Sequence, residues 1–164
     1  ISNLLLSDRL SMPYSKLDLK KHTTHEILNK VVEMFPKKQH YIKIDNHIPN
    51  EIINVDETKF ILALRNLLDN AIKYSTKNID IELIVRKNGN IEFEVRDKGT
   101  GIPKESIEKL TNPFFQTNQN VSTTGFGLGL TICKKIVESH SGRLTIKSEE
   151  GKGSIFVIHL PSNK

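Results

Sequence analysis

The chain has 164 residues, 37% apolar and 26% charged, a balance that suits one domain with its own core and excludes disordered and fibrous classes. No apolar run approaches the roughly 18 residues a membrane-spanning helix needs. The formal charge of +5 is spread along the chain, without a basic patch interleaved with aromatics, so nucleic acid is not an expected partner.

Residues 1–10 (Ile1 to Leu10) read as the end of a helix with an apolar stripe of Ile1, Leu4, Leu5 and Leu6, broken at Pro13. They carry neither the basic lead nor the small-residue cleavage site of a secretory signal, and without an initial Met the chain reads as an excised piece. A helix is predicted over residues 24–35, capped by Thr24, with Ile27, Val31, Val32, Met34 and Phe35 inward. Residues 41–45 alternate like a strand. The strongest helical signal runs from Glu57 to Tyr74 with Asp56 as its cap. Phe60, Ile61, Leu64, Leu67, Leu68, Ala71 and Ile72 form its buried side, and Asn66, Asn70 and Lys73, spaced i, i+4, i+7, share a polar stripe roughly opposite.

A hairpin is predicted from residues 79–85 and 91–95 around Asn88-Gly89-Asn90. Residues 97–126 form a long irregular stretch of the kind that serves as a binding loop. A second helix spans about Gly127 to Ser139 and ends at Gly142, and a closing hairpin pairs 144–146 with 155–158 through Gly151-Lys152-Gly153. The single cysteine, Cys133, sits on the apolar face of that second helix, as a buried, inert thiol would. Strands, helices and hairpins in this order predict an α/β sandwich with a mixed sheet.

Three clusters carry candidate chemistry. Asn66 and Asn70 offer amide oxygens that suit a hard cation such as Mg2+, and Lys73 offers a point charge to phosphate; a plain solvated helix face has the same composition. Asp97, at a strand end before Gly99 and Gly101, can accept a hydrogen bond from an exocyclic amine, while the glycines let backbone turn and a flat ring approach. Gly125, Gly127 and Gly129 lead into a helix, where free N–H groups and the helix dipole favour anions. Their Gly-x-Gly-x-Gly spacing, with no strand before it, argues against a dinucleotide fold. His22 and His25 are surface or packing residues: Asn29 stands where a zinc-binding His-Glu-x-x-His would need its second histidine.

In this order, the clusters resemble the ATP-binding domain shared by sensor histidine kinases, gyrase B, Hsp90 and MutL. Asn66–Tyr74 is similar to its N box, Asp97–Gly101 to its G1 box, Gly125–Leu130 to its G2 box, and Pro113-Phe114-Phe115-Gln116 to the F box of the kinases. Gly151 to Pro161 resembles the kinase closing hairpin. The resemblance implies the Bergerat fold: a mixed, largely antiparallel sheet on about three helices, with a short N-terminal helical stub. It also implies that residues 1–12 end a dimerisation and phosphoacceptor hairpin and that 13–164 form the catalytic domain.

By the same resemblance, ATP and Mg2+ are the expected ligands. Asn66 and Asn70 hold the metal, Asp97 reads the adenine amine, and Tyr74, Ile102 and Leu130 line the base pocket. Gly99, Gly101, Phe115, Gln116, Gly125, Gly127, Leu128 and Gly129 complete the nucleotide-binding set with Lys73. Thr111 and Gln116 depart from the family, which often has an aromatic and an arginine there. The polar stretch 111–124 is expected to be a lid that orders over phosphates. No residue reads as a general base, which the family keeps beside the acceptor histidine.

The implied function is donation of the γ-phosphate to a histidine on an upstream phosphoacceptor domain. The implied partners are that domain, a second copy of the kinase and a response regulator. The implied location is the cytoplasmic side of an inner-membrane sensor, with any membrane contact made by N-terminal segments beyond this chain. Two alternatives share the fold: an ATP-gated module of the gyrase, Hsp90 or MutL kind, and an anti-sigma-type serine kinase. Asn66 at the first N-box position, where the ATP-gated modules need Glu, separates the first; the N-terminal stub and Phe114-Phe115 separate the second.

Overall fold

The computed structural model describes residues 16–75, 78–112, 115 and 128–162. Its elements in chain order are β1 (Lys20–Thr23), α1 (Thr24–Glu33), β2 (Ile42–Asn46), β3 (Ile52–Val55), α2 (Glu57–Tyr74), β4 (Ile81–Asn88), β5 (Asn90–Asp97), a short α3 (Lys104–Ile107), α4 (Gly129–Ser139), β6 (Arg143–Glu149) and β7 (Gly153–Leu160). Five strands form one sheet in the order β2-β4-β5-β7-β6, and β1 pairs with β3 in a separate ribbon. Only β2 runs parallel to its neighbour; the other pairs are antiparallel. This is the mixed, largely antiparallel α/β sandwich expected, with three helices of ten residues or more among the described residues.

The core lies between the sheet and the helices. Alternate residues of the strands turn inward: Ile81, Leu83 and Val85 from β4, Ile91, Phe93 and Val95 from β5, and Phe156, Ile158 and Leu160 from β7. They meet Phe60, Leu64, Leu67 and Leu68 of α2 and Ile132, Cys133 and Ile136 of α4. Phe60 sets its edge against Phe93, with ring centroids 5.1 Å apart. Burial pushes the Cys133 thiol up to about 12, so it stays protonated and inert, as its apolar setting predicted. The opposite sheet face is charged: Glu94 is 2% exposed, clasped by Arg86 and Arg96.

Three local readings need correction. Met34, expected on the inward side of α1, caps its C-terminal end and is 42% exposed. The cap of α1 is Thr23, not Thr24: its hydroxyl accepts from Glu26 N–H at 3.1 Å and Glu26 Oε2 accepts from Thr23 N–H at 2.8 Å, a capping box. Thr24 is buried and donates its hydroxyl to Ile48 O at 2.6 Å. At the end of α4 the left-handed residue is Ser141, at φ 60°, rather than Gly142. Gly142 is required because a β-carbon there would lie 2.4 Å from His159 O. The ribbon strands β1 and β3 had no counterpart in the sequence reading. His22, on β1, faces Glu57 with Nδ1 3.3 Å from Oε2, and His25 meets Asn29 on the outside of α1.

Asp56 ties the helices together as well as capping α2. Its Oδ1 accepts from Lys59 N–H at 3.1 Å and its Oδ2 from Asp18 N–H at 3.0 Å. Its own N–H donates to His140 Nε2 at 3.0 Å, just past α4, while His140 Nδ1 lies 2.8 Å from Ile136 O. That pattern requires a neutral imidazole protonated on Nδ1. Burial, opposed by Ile136 O and Asp56, lowers the His140 pKa from 6.5.

A lowered histidine pKa means the unfolded chain binds the proton more readily, so this contribution is complete above pH 6.5 and is lost as pH falls through the folded value. Thermal melting is therefore expected to fall as pH drops below 6.5. His140→Ala should cost about 1–3 kcal/mol at neutral pH, because it strands the Asp56 N–H, and should flatten part of that pH dependence. His159, lowered by burial and by Arg143 against Glu92, acts in the same direction. An unchanged pH profile in His140→Ala would contradict this role.

Candidate functional site

Helix α2 is the common wall of the candidate site. Its apolar side is held by the core, which leaves Asn66, Asn70, Lys73 and Tyr74 half-buried along its margin. Burial lowers the Lys73 pKa, with Asp69 opposing, and its Nζ stands 5.4 Å from the Tyr74 ring centre. Burial also raises the Tyr74 phenol. The sequence placed the polar stripe opposite the core, facing outward. Instead, the first turn of α4 covers it in part: a β-carbon on Gly129 would sit 3.6 Å from both Cγ and Oδ1 of Asn66. Asn66 Nδ2 is buried there with no hydrogen-bond partner among the described residues.

At the C-terminal end of α2, the loop after β5 presses on the helix terminus. Thr100 N–H donates to Tyr74 O at 3.2 Å. Gly99 passes so close that a β-carbon would lie 2.3 Å from the same carbonyl. Gly101 takes φ +69° against Glu149 O. Asp97, 8% exposed at the end of β5, accepts from Gly99 N–H at 2.9 Å and from the backbone N–H of Ser154. Burial raises its pKa, and those two N–H groups pull it back only in part. Ile102 and Leu130, expected beside Tyr74, are partly buried against the core.

Leu128 stands at the cap position of α4 and offers no side-chain cap. The first N–H groups of a helix have no partner within it, so the dipole end at Gly129 and Leu130 meets the Asn66 amide uncapped. Thr131 Oγ1 donates to Thr111 O at 2.7 Å, which brings together the two ends of the stretch between them. Phe115 N–H donates to Asn112 O. Gln116, Gly125 and Gly127, with nearly all of the expected lid, lie outside the described residues, as does the N-terminal stub.

Sequence reasoning missed Gly153, Ser148 and Ser154. Gly153 was read only as a turn residue, yet at φ +105° it packs under Asp97, where a β-carbon would be 2.1 Å from Asp97 O. The serines end the inward-facing sets of β6 and β7, after Leu144 and Ile146 and before Phe156 and Ile158. Polar residues ending an apolar alternation were the available signal.

Among the described residues, no group of three or more His, Cys, Asp or Glu could hold a metal unaided. Asn66, beside an anion-favouring helix end, and Asn70, one turn further along α2, fit a cation that brings oxygen ligands of its own, as Mg2+ does with phosphate and water.

Residues 55–164 match the family described as histidine kinase-, DNA gyrase B-, and HSP90-like ATPase. The sensor protein KdpD of Clostridium acetobutylicum is 32% identical over 98% of this chain. The sensor histidine kinase YclK of Bacillus subtilis is 39% identical over 73%. The chain spans 18% of the length of the first and 25% of the second. Among solved structures, the catalytic domain of the histidine kinase ThkA aligns at 27% identity with a TM-score of 0.77, covering 90% of this chain and 99% of that one. Full-length ShkA in complex with AMPPNP shares the fold, with a TM-score of 0.79 at 23% identity, covering 99% of this chain and 36% of that one.

The glycines separate packing from chemistry. Gly153→Ala drives a β-carbon into backbone at a positive φ and is expected to lower stability by about 2 kcal/mol or more. Gly129→Ala meets only ordinary contact and should melt at or above the wild-type temperature, since alanine suits a helix better by roughly 1 kcal/mol. Thermal denaturation of both variants checks this; equal losses would mean that the fold itself demands glycine at 129.

Proposed function

The chain belongs to the histidine kinase-, DNA gyrase B- and HSP90-like ATPases, and from that membership we propose that it is the nucleotide-binding catalytic domain of a sensor histidine kinase. In this reading it binds Mg-ATP and presents the γ-phosphate to a histidine on a separate phosphoacceptor domain, in its own subunit or in a dimer partner. A response regulator then receives the phosphoryl group. A membrane-anchored sensor, with this domain on the cytoplasmic side, completes the proposal, and residues 1–12 would end the phosphoacceptor hairpin.

One observation carries the reading: a buried acceptor and an uncapped helix end converge on α2, the first at its C-terminal end and the second at its middle. Asp97 supplies the acceptor through a loop pressed onto Tyr74 O, and α4 brings its first turn onto Asn66. A nucleotide needs that separation, an amine-reading group at one end and a phosphate cradle at the other. Tyr74, Ile102 and Leu130 would wall the base, and Lys73, Leu128 and Gly129 would lie along the phosphates, joined by Phe115, Gln116, Gly125 and Gly127.

Asn66 and Asn70 would hold Mg2+, which neutralises phosphate charge when bound. Phosphoryl transfer rests mainly on positioning and charge stabilisation, and this chain's residues orient the donor. Asn66 at the position where the ATP-gated modules need Glu favours a kinase over an ATP-driven conformational module.

Calorimetric titration with ATP, with and without Mg2+, should give saturable binding that the metal strengthens; no binding at millimolar nucleotide would reject the proposal. Asp97→Asn replaces an acceptor with a donor and should weaken ATP binding by about 1–3 kcal/mol, narrowing discrimination against GTP. Its melting temperature should change little, because the substitution removes a buried charge. In the wild type, ATP affinity should fall as pH drops towards the raised Asp97 pKa, above the ordinary 3.8. Unchanged ATP affinity in Asp97→Asn would make the residue a turn former only.

A further inference from the structure

We propose that Ser148 is a positioning residue for base selection: it fixes the direction of the Ser154 hydroxyl beside Asp97 and anchors the backbone of Ile102. This rests on the nucleotide reading above.

The row is set by register. Asp97 on β5 faces Ser154 on β7, and Ser154 faces Ser148 on β6, so three polar side chains run across neighbouring strands on the helix-facing side. Ser154 is buried and Ser148 half-buried. Ser148 Oγ accepts from Ile102 N–H at 2.8 Å. It also lies 2.9 Å from Gly153 O and 2.7 Å from Ser154 Oγ.

A hydroxyl has one proton and two lone pairs. All three contacts are satisfied together when Ile102 N–H donates to Ser148 Oγ, Ser148 O–H donates to Gly153 O, and Ser154 O–H donates to Ser148 Oγ. A carbonyl can only accept, so Gly153 O draws the Ser148 proton and leaves its oxygen to receive the proton of Ser154.

Ser154 then has no proton to offer towards Asp97 or a ligand. Its oxygen stands beside the carboxylate as a second acceptor. Two adjacent acceptors suit an amino group, as on adenine, and oppose a carbonyl oxygen, as on guanine. Without the Ser148 hydroxyl, Ser154 can turn its proton outward and answer a carbonyl, and the Ile102 N–H loses its partner. Ser148 thus acts through Ser154 and Ile102 and touches no ligand itself.

The test is ATP and GTP affinity, by calorimetry, of the chain and of Ser148→Ala, Ser148→Thr, Ser154→Ala and the double variant Ser148→Ala/Ser154→Ala. Ser148→Ala should weaken ATP roughly three- to tenfold, the scale of one hydrogen bond, while GTP affinity holds or rises. Ser148→Thr keeps the hydroxyl and should restore the ratio. In the double variant, the ATP:GTP ratio should match that of Ser154→Ala alone, since Ser148 sets the ratio through Ser154. Equal losses for ATP and GTP in Ser148→Ala, or no recovery with Thr, would overturn the positioning role even though wild type binds ATP. Failure of wild type to bind either nucleotide would instead overturn the reading on which the role rests. Thermal melting of each variant separates both results from misfolding.

Discussion

A carboxylate taken out of water must be met by donors, and Asp97 places that demand at the end of β5. Two backbone N–H groups meet it in part, from Gly99 on its own loop and from Ser154 on the neighbouring strand. Each donor fixes a piece of chain. The loop is drawn onto the end of α2, where Gly99 leaves no room for a side chain against Tyr74 O, and β7 is brought so close that Gly153 must lack one as well. Burial still holds the carboxyl pKa above its ordinary value, so acceptor capacity remains for a further donor. A fold indifferent to ligand would gain by losing this charge.

The other half of the site depends on how α2 and α4 are held. Asp56 caps α2 and donates its N–H to His140 at the far end of α4, so the helices are pinned to each other away from the site. The opposite end of α4 then falls over Asn66. The same Asp56 carboxylate receives Asp18 N–H, and Lys59 Nζ reaches Lys16 O at 3.2 Å, so the incoming chain joins the structure at this junction.

Local signals made α2 legible: a capping aspartate, a clean helical period and a polar margin all lie within its own residues. The two main hairpins were legible for the same reason, since Gly89 and the Gly151–Gly153 turn sit between alternating runs. The ribbon was not, because Lys20, Lys21 and His22 show no apolar alternation and their partner strand lies some 30 residues on. The capping box of α1 was present as Thr23-x-x-Glu26, one residue before the threonine chosen. The three clusters could be read as types of chemistry, but their placement along one helix could not. It depends on Gly99 meeting Tyr74 and on Gly129 meeting Asn66, contacts between residues far apart in the chain. Ser148 and Ser154 gain meaning only from the register that sets them in line with Asp97.

A crystal structure of the chain with Mg2+ and a non-hydrolysable ATP analogue tests the central claim most directly. The account predicts the exocyclic amine of adenine at hydrogen-bond distance from the Asp97 carboxylate, about 2.7–3.2 Å. It also predicts phosphates at the first turn of α4 and the metal on Asn66 and Asn70. An analogue seated elsewhere, away from Asp97 and the first turn of α4, or bound with Asp97 facing no donor of the base, would contradict it.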